Sequence, residues 1–329
     1  MGTSFVTGGS GFVGRALVRA LLARGEHVRA LARSRGAADT LRALGPVEVV
    51  DGDLDDRAAL TRGATGAEVV YHSAATVTDW GDPAEFHRIN VVGTENMLGA
   101  AQAGGARRFV HVSTEAVLAD GRPIVRADET RPRTTRPVGL YPRTKGLAEE
   151  AVLRATSDTL STVIMRPRLI WGPGDTSLLP QIVATVRAGK FAWMSGGHYL
   201  TSTCHVDNVV EGLLLAAERG APGGIYFLTD GPPTELRAFL SALLESQGVP
   251  VPTRSVPRGV VWALATLDEA LARAWPAHRP AITRTAVGLL GHEVTVDDSK
   301  ARRELGYVGR TTREAGLAAL RSEARAEGV

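Results

Sequence analysis

Val6-Thr7-Gly8-Gly9-Ser10-Gly11-Phe12-Val13-Gly14 lies between a β-rich run, Thr3–Thr7, and a helical pattern, Phe12–Arg24, whose Leu17, Leu21 and Leu22 share one face. Glycines at 8, 11 and 14 let the backbone turn tightly out of the strand. They also let a pyrophosphate approach the helix N-terminus, where unpaired N–H groups and the helix dipole favour negative charge. A glycine turn alone says little, but the strand before it and the helix after it make this one a dinucleotide-binding turn. Thr7, Gly8, Ser10, Gly11, Phe12, Val13 and Gly14 are its candidate cofactor contacts.

Outward from the turn, β-rich runs alternate with helical patterns, which predicts βαβ units and a parallel sheet with right-handed crossovers. Strands are expected at His27–Ala32, Val47–Val50, Glu68–His72, Arg107–Val112 and Thr162–Arg166. Helices are expected at Pro83–Ala103, read as one long element, and at Leu140–Ala155. Beyond Pro167 the pattern loosens. Thr176–Ala188, Val206–Arg219 and Glu235–Gln247 read as helices and Ile225–Leu228 as a strand. Pro250–Pro257 reads as a connector, Val260–Trp275 as an amphipathic helix, and Lys300–Leu305 as the start of a final helical region. The fold class is therefore α/β, a Rossmann-like doubly wound parallel sheet with a smaller C-terminal substrate-binding region. The dinucleotide domain spans 1–170, with 204–231 returning to it. Residues 171–203 and 232–329 form the substrate side.

Composition narrows the function. The 329-residue chain is 44% hydrophobic and 22% charged, ordinary values for a globular protein. Its one cysteine, Cys204, excludes an internal disulfide framework and a cysteine-based zinc site, and no metal is expected. The start of the chain shows no secretory leader, and no apolar run reaches the ~20 residues of a membrane span. A cytoplasmic location is expected. The isoelectric point near 9.3 suggests nucleic acid. However, the net charge is only +3 and the arginines are scattered among acids with few aromatic platforms, so nucleic-acid binding is rejected.

The second strand ends Leu31-Ala32-Arg33-Ser34-Arg35, without the acid that binds ribose hydroxyls in enzymes preferring NAD. Arg33 and Arg35, with Ser34, suit a 2′-phosphate, so NADP(H) is favoured over NAD(H). Asp53-Leu54 either meets the adenine amine or caps a following helix.

Tyr141-Pro142-Arg143-Thr144-Lys145 sets a phenol and an ammonium four residues apart, on one face of a helix. A cation beside the phenol is expected to favour the phenolate, and the lysine can also reach ribose hydroxyls. Only Lys145, Lys190 and Lys300 are lysines in this arginine-rich chain, a modest sign that arginine would not serve at 145. Upstream, His111-Val112-Ser113-Thr114 ends the fifth strand at the sheet edge where ligands bind. Thr114 is the preferred catalytic hydroxyl and Ser113 the alternative, the latter read mainly as capping the strand end.

Thr7-Gly8-x-x-Gly11-x-x-Gly14, Asp53-Leu54, His72-Ser73-Ala74-Ala75, Asn90-Val91-Val92-Gly93-Thr94, Ser113-Thr114, Tyr141-x-x-x-Lys145 and Arg166-Pro167 occur in one order. Together they resemble the extended short-chain dehydrogenase/reductases over nearly the whole chain. The segments Tyr141–Glu149 and Arg166–Asp175 are most similar to the group of 3β-hydroxysteroid dehydrogenases, sterol-4α-carboxylate dehydrogenases and 2-alkyl-3-oxoalkanoate reductases. The resemblance implies a Thr114/Ser113–Tyr141–Lys145 catalytic set. It also implies cofactor contacts from Ser73, Ala74, Ala75, Asn90 and Pro167, and a homodimer formed through Pro83–Ala103 and Leu140–Ala155. His72 stands where many relatives carry Asn.

Trp80, Trp171, Trp193, Met194 and Tyr199 could line an apolar substrate pocket, although such aromatics more often complete a core. Asn90 is read chiefly as structural, Asp207 as a helix cap, and Arg122–Pro137 as either a lid over an anionic group or a solvated loop. The activity expected is reversible hydride transfer between NADP(H) and an apolar ketone or alcohol, such as a 3-oxo lipid acid, a steroid or a polyketide-like compound. The rival readings are a nucleotide-sugar epimerase or dehydratase with tightly held NAD, to which Glu115 would contribute an acid, and a dinucleotide-sensing regulator without catalysis.

Overall fold

Phe5 and Val6, Val70 and Tyr71, Phe109 and Val110, and Ile164 and Met165 are neighbours in sequence that bury their side chains in two different cores. Side chains alternate across a strand, so these runs must be covered on both faces, as in a parallel sheet. The computed structural model, which describes residues 2–275 and 277–326, shows that sheet.

In chain order the first half comprises β1 (Thr3–Thr7), α1 (Phe12–Ala23), β2 (His27–Ala32), α2 (Arg35–Arg42), β3 (Glu48–Asp51), α3 (Arg57–Ala64) and β4 (Val69–His72). Then come α4 (Pro83–His87), α5 (Gly93–Ala103), β5 (Arg108–Val112), β6 (Ile124–Ala127), α6 (Leu140–Arg154) and β7 (Ser161–Pro167). The second half adds β8 (Ile170–Trp171), α7 (Leu178–Arg187), β9 (Trp193–Met194), β10 (Leu200–Thr201), β11 (Cys204–His205), α8 (Val206–Arg219) and β12 (Gly224–Leu228). It ends with β13 (Thr234–Glu235), α9 (Leu236–Ser246), β14 (Ser255–Val256), α10 (Arg258–Ala274), α11 (Arg284–Leu290), β15 (Val294–Val296), α12 (Ser299–Leu305) and α13 (Arg313–Ala326).

Seven strands form the main sheet in the order β12-β7-β5-β4-β1-β2-β3, and every pairing is parallel. In register, Thr7 pairs with His72, His72 with His111, and His111 with Ile164, which aligns the carboxyl ends of the central strands. The strand order reverses between β1 and β4, the crevice where ligands bind in open α/β sheets. α1, α2, α8 and α12 cover one face, and α3, α5 and α6 the other. The remaining segments build a third core around Trp171, Trp193, Leu240 and Leu243, beside a small sheet of order β13-β10-β15-β6.

Several expectations need correction. Pro83–Ala103 is not one regular helix, because residues Arg88–Val92 form a π-helical turn between α4 and α5. Such a bulge inserts an extra residue and re-aims its neighbours, here Asn90. Arg122–Pro137 is neither lid nor free loop. It contains β6, and Arg133 fastens it to α6 through Gly146 O and through Glu150 at 3.0 Å. Asp207 does not cap α8; that bond comes from His205, whose Nδ1 accepts from the Asp207 N–H at 3.2 Å.

Candidate active site

A cleft of about 640 Å³ opens at the β1/β4 crossover, within the size range of small-ligand pockets. The glycine turn forms its floor, with Gly8, Ser10, Gly11, Phe12, Val13 and Gly14 on the wall. Gly8 has φ +72°, and a Cβ there would lie 2.6 Å from Ala74 N. A Cβ on Gly14 would lie 2.0 Å from Gly8 O. Only glycine permits this close-packed turn. α1 starts at Gly11 with no side-chain cap and no acid in its first turn, so its leading N–H groups stay available to an anion. Strand, close-packed turn and uncapped helix together fit a nicotinamide dinucleotide.

Arg33, Asp53 and Leu54 line the cleft beyond β2 and β3, and Ser73, Ala74 and Ala75 line it beyond β4. Arg33 and Arg35 are exposed, while Ser34 is occupied as the cap of α2, accepting from Ala37 N at 3.3 Å. Asp53 Oδ1 accepts from Asp55 N and Asp56 N, and it is Asp56 that caps α3. Ser113, Thr114, Tyr141 and Pro167 form the far wall.

Three anticipated site residues stand behind the cleft. Thr7 is buried and its hydroxyl meets His72 Nδ1 at 2.7 Å. Thr94 donates its one hydroxyl proton to Asn90 O at 2.7 Å, so His72 Nε2 must carry the hydrogen it shares with Thr94 at 3.0 Å. His72 Nδ1 therefore accepts from Thr7. Asn90 accepts from Thr76 N at 2.7 Å and donates to Thr76 O and Thr144 Oγ1, both at 3.0 Å. It thereby clasps the loop after β4 to the helix that carries Tyr141. Lys145 is buried, with Nζ donating to Val112 O at 2.6 Å and lying 3.1 Å from His111 Nε2.

The electrostatics differ from the expectation that the lysine would favour a phenolate. Burial pushes the Tyr141 phenol above its ordinary value, Glu115 adds to this, and a hydrogen bond with Thr114 opposes both. The Tyr141 phenol thus keeps its proton at neutral pH. Burial lowers Lys145 to about 8, against the raising influence of Glu149. Thr114 Oγ1 donates to Glu115 Oε2 at 2.9 Å and accepts from Ala116 N at 3.2 Å. Glu115 is in turn 3.0 Å from Arg168, and both of these buried groups line the cleft. Ser113 does not cap the strand end; its hydroxyl donates to Glu149 at 2.6 Å.

Trp80, Trp171, Trp193 and Tyr199 do not line the cleft. Trp171 and Trp193 are core, their indole N–H groups donating to Asp230 at 2.7 Å and Pro252 O at 2.6 Å. Tyr199 donates to Leu290 O at 2.6 Å, and Trp80 lies under the Arg273 guanidinium. Val77, Leu169, Leu178 and Leu289 supply the apolar wall instead, with Arg168, Thr176, Ser177 and Gln181 as its polar groups. Arg168 follows directly on Arg166-Pro167, and that adjacency was the available sequence signal.

His72 and His111 stack in the core, ring centroids 5.4 Å apart. Burial, then the Lys145 charge, holds His72 down at about 3, and His111 is likewise held well below its ordinary value. Both stay neutral in the fold, whereas the unfolded chain takes up their protons below about pH 6.5, so stability must fall as the pH drops through that point. His72→Asn, which can still accept from Thr7 and donate to Thr94, removes one of these protons. Between about pH 6 and 4.5 the variant is expected to lose up to ~1.4 kcal/mol less per pH unit than the wild type. Urea unfolding across that range checks it; parallel curves would contradict the neutral assignment.

The cradle, the tyrosine on its wall and the lysine one helical turn on define a nicotinamide-dependent oxidoreductase of the extended short-chain dehydrogenase/reductase class. More narrowly, the chain belongs to the 3-beta hydroxysteroid dehydrogenase/isomerase family, whose sequence model matches residues 5–258. It is 53% identical over 319 residues (97% of this chain, 95% of the relative) to the 4-hydroxy-2-methyl-3-oxo-4-farnesyl-3,4-dihydroquinoline-1-oxide ketoreductase of Stigmatella aurantiaca. It is 34% identical over 333 residues (98% and 99%) to the 2-alkyl-3-oxoalkanoate reductase of Stenotrophomonas maltophilia. Among solved structures it is similar to that of gox2253, with a TM-score of 0.80 at 30% identity, covering 100% of this chain and 99% of that one.

Proposed function

We propose that this enzyme interconverts an apolar ketone and its secondary alcohol using NADP(H), with Tyr141 as the proton donor in the reducing direction. The observation that carries this reading is the neutral Tyr141 phenol on the wall of the cleft built on the glycine turn. Gly8 to Gly14 and the α1 N-terminus would hold the pyrophosphate, and Ser73 to Ala75 and Pro167 would border the rest of the dinucleotide. When bound, the dinucleotide supplies the hydride to the carbonyl carbon, or takes it back in the oxidising direction. Tyr141 delivers its proton to the carbonyl oxygen. Thr114 turns its hydroxyl from Glu115 to that oxygen, and Arg168 leaves Glu115 paired when it does. Lys145, anchored on Val112 O, supplies positive charge behind the tyrosine.

Within residues 171–203 and 232–329, assigned to the substrate side, Thr176, Ser177, Leu178, Gln181 and Leu289 line the cleft, whereas α12 packs on the main sheet instead. Leu169, Leu178 and Leu289 suit an alkyl or isoprenoid chain, and the polar groups at Arg168, Thr176 and Gln181 suit an oxygen substituent near the ketone. The two reductase relatives act, by name, on a farnesylated oxo-dihydroquinoline oxide and on alkyl-oxoalkanoates. A cyclic or branched ketone carrying a long apolar chain is therefore the proposed substrate. The dehydratase reading needs a free acid at Glu115, but that carboxylate already binds Arg168 and the Thr114 hydroxyl.

NADPH and NADH absorbance should be followed with alkylated oxo-dihydroquinolines, 2-alkyl-3-oxo acids and steroid ketones. Loss of NADPH absorbance with at least one of them is expected. Dinucleotide binding without turnover of any ketone would defeat the reading, as would purified protein carrying NAD and epimerising a nucleotide sugar. For the cofactor, Arg33→Ala removes charge-assisted hydrogen bonds to a 2′-phosphate, each contributing about 1.5–3 kcal/mol, so the KM for NADPH should rise roughly ten- to a hundredfold. The KM for NADH should move by less than about threefold; equal weakening of both would argue for NAD.

A further inference from the structure

The Lys145 ammonium sits in a closed place, 2% exposed, between two acceptors that both come from β5. Val112 O takes one N–H at 2.6 Å, and His111 Nε2 lies 3.1 Å away. An ammonium has donors only, so the imidazole accepts through Nε2 and carries its own hydrogen on Nδ1. That Nδ1 is buried and meets no hydrogen-bond partner among the described residues. His72, stacked on this ring at 5.4 Å, is different: Thr7 and Thr94 engage both of its nitrogens. Leaving a buried N–H unpaired is unfavourable, and a phenylalanine would fill the same stack without one. What the imidazole adds at this place in the core is the Nε2 lone pair that meets Lys145.

The lysine needs it. Its flexible four-carbon stem could pivot about a single acceptor. Val112 O and His111 Nε2 together fix the nitrogen and leave one N–H uncommitted. Five guanidinium donors would meet the same two acceptors, so an arginine would go unsatisfied here.

The titratable and charged groups around the amine are few. Tyr141 and Glu149 lie on its own helix, His111 on β5 and His72 on β4, with Arg166 of β7 paired to Glu149. Burial lowers the amine to about 8 and Glu149 raises it. A hydrogen bond accepted from the charged form acts in the same direction as Glu149. His111 carries no proton onward. Burial, then the Lys145 charge, holds it well below its ordinary value, and its other nitrogen leads to no partner among the described residues.

We infer that His111 is a positioning residue for the reaction, its Nε2 holding the Lys145 ammonium in place one turn on from Tyr141 and favouring its charged form. The inference rests on the Tyr141 and Lys145 chemistry proposed above.

The test uses the scarcity of lysine. Lys145, Lys190 and Lys300 are the lysines of the chain, so enzyme isotope-labelled in lysine alone gives a side-chain amine signal from each. The signal missing from Lys145→Met is that of Lys145, and its titration in substrate-free enzyme reads the amine directly. In His111→Phe, which keeps the ring stack, Lys145 should titrate about one pH unit below the wild type. In His111→Gln, whose side-chain oxygen reaches as far as Nε2, it should return to within about 0.3 unit. Turnover with NADPH should follow, roughly fivefold lower near pH 8 in His111→Phe and largely recovered in His111→Gln.

A histidine kept only for packing gives the opposite order, with phenylalanine benign and glutamine harmful. That order overturns the inference, and so does a Lys145 titration unmoved in His111→Phe. Urea unfolding identifies a variant that fails to fold; if it is His111→Gln, the titration of His111→Phe decides. Lys145→Met that reduces its ketone as fast as the wild type would remove the Tyr141 and Lys145 reading itself. An essential Lys145 whose signal ignores His111 would remove this inference alone.

Discussion

Tyr141→Phe is expected to lower kcat for the best ketone by about 10²–10⁴-fold, the span of a lost general acid, while dinucleotide affinity changes by less than about threefold. Nothing in the tyrosine's packing should mask the effect. The ring occupies the first turn of α6, held by the Gly139 turn and by the Asn90 clasp on Thr144, and phenylalanine fills the same space. The hydroxyl is the group removed, and the phenol is raised above its ordinary value by burial and by Glu115, so at neutral pH the wild type carries the proton it must give. Thr114→Val should lose less than Tyr141→Phe, since it removes the carbonyl contact but not the acid. Steady-state turnover with NADPH at saturating ketone measures both. Equal rates for wild type and Tyr141→Phe would remove the tyrosine from the chemistry.

The distribution of what could be read from the chain follows from the range of the interactions. β1, β2 and α8 stand where the alternation and the apolar periodicity placed them, because those patterns are local and the strands are buried on both faces. α2 carries no apolar periodicity to announce it, and α3 was legible only as a helix that Asp53 could cap: Arg35–Arg42 and Arg57–Ala64 are eight residues each, and helical because Ser34 and Asp56 cap them against the sheet. The π turn at Arg88–Val92 sits inside a helical pattern that runs on unbroken in the sequence, and it carries the Asn90 that bonds Thr76 and Thr144. Trp171 and Trp193 looked like pocket residues because indoles suit pockets, but their N–H groups found Asp230 and Pro252 across the third core. The pairing of Glu115 with Arg168 joins residues far apart in sequence, which no local spacing reveals. The Tyr141/Lys145 spacing was legible, but the direction in which the phenol shifts depends on that hidden carboxylate and on burial.

Glu149→Leu is expected to destabilise the fold by about 3–5 kcal/mol, the cost of stranding one member of a buried ion pair. Glu149 is wholly buried and accepts from Arg166 Nε at 2.8 Å, Arg166 Nη2 at 2.6 Å and Ser113 Oγ at 2.6 Å. Removing its carboxylate leaves a guanidinium that is itself 2% exposed, lying over the Phe227 ring and shielded from solvent. Arg166→Leu alone strands the carboxylate and should cost a similar amount. In Glu149→Leu/Arg166→Leu neither charge is stranded, and the remaining penalty is the Ser113 hydroxyl without its acceptor, about 1–3 kcal/mol. The double variant should therefore be more stable than either single one, by roughly 2 kcal/mol. Urea unfolding of the four proteins measures this, and additive losses would mean that the pair is not coupled. The same substitution reaches the active site, because Glu149 raises Lys145 against the burial that lowers it to about 8. Without Glu149 that amine should titrate lower, so the variant's turnover should begin to fall at a lower pH on the alkaline side than the wild type's. A variant destabilised to this degree but with an unmoved alkaline limb would confine Glu149 to holding Arg166 and Ser113 in place.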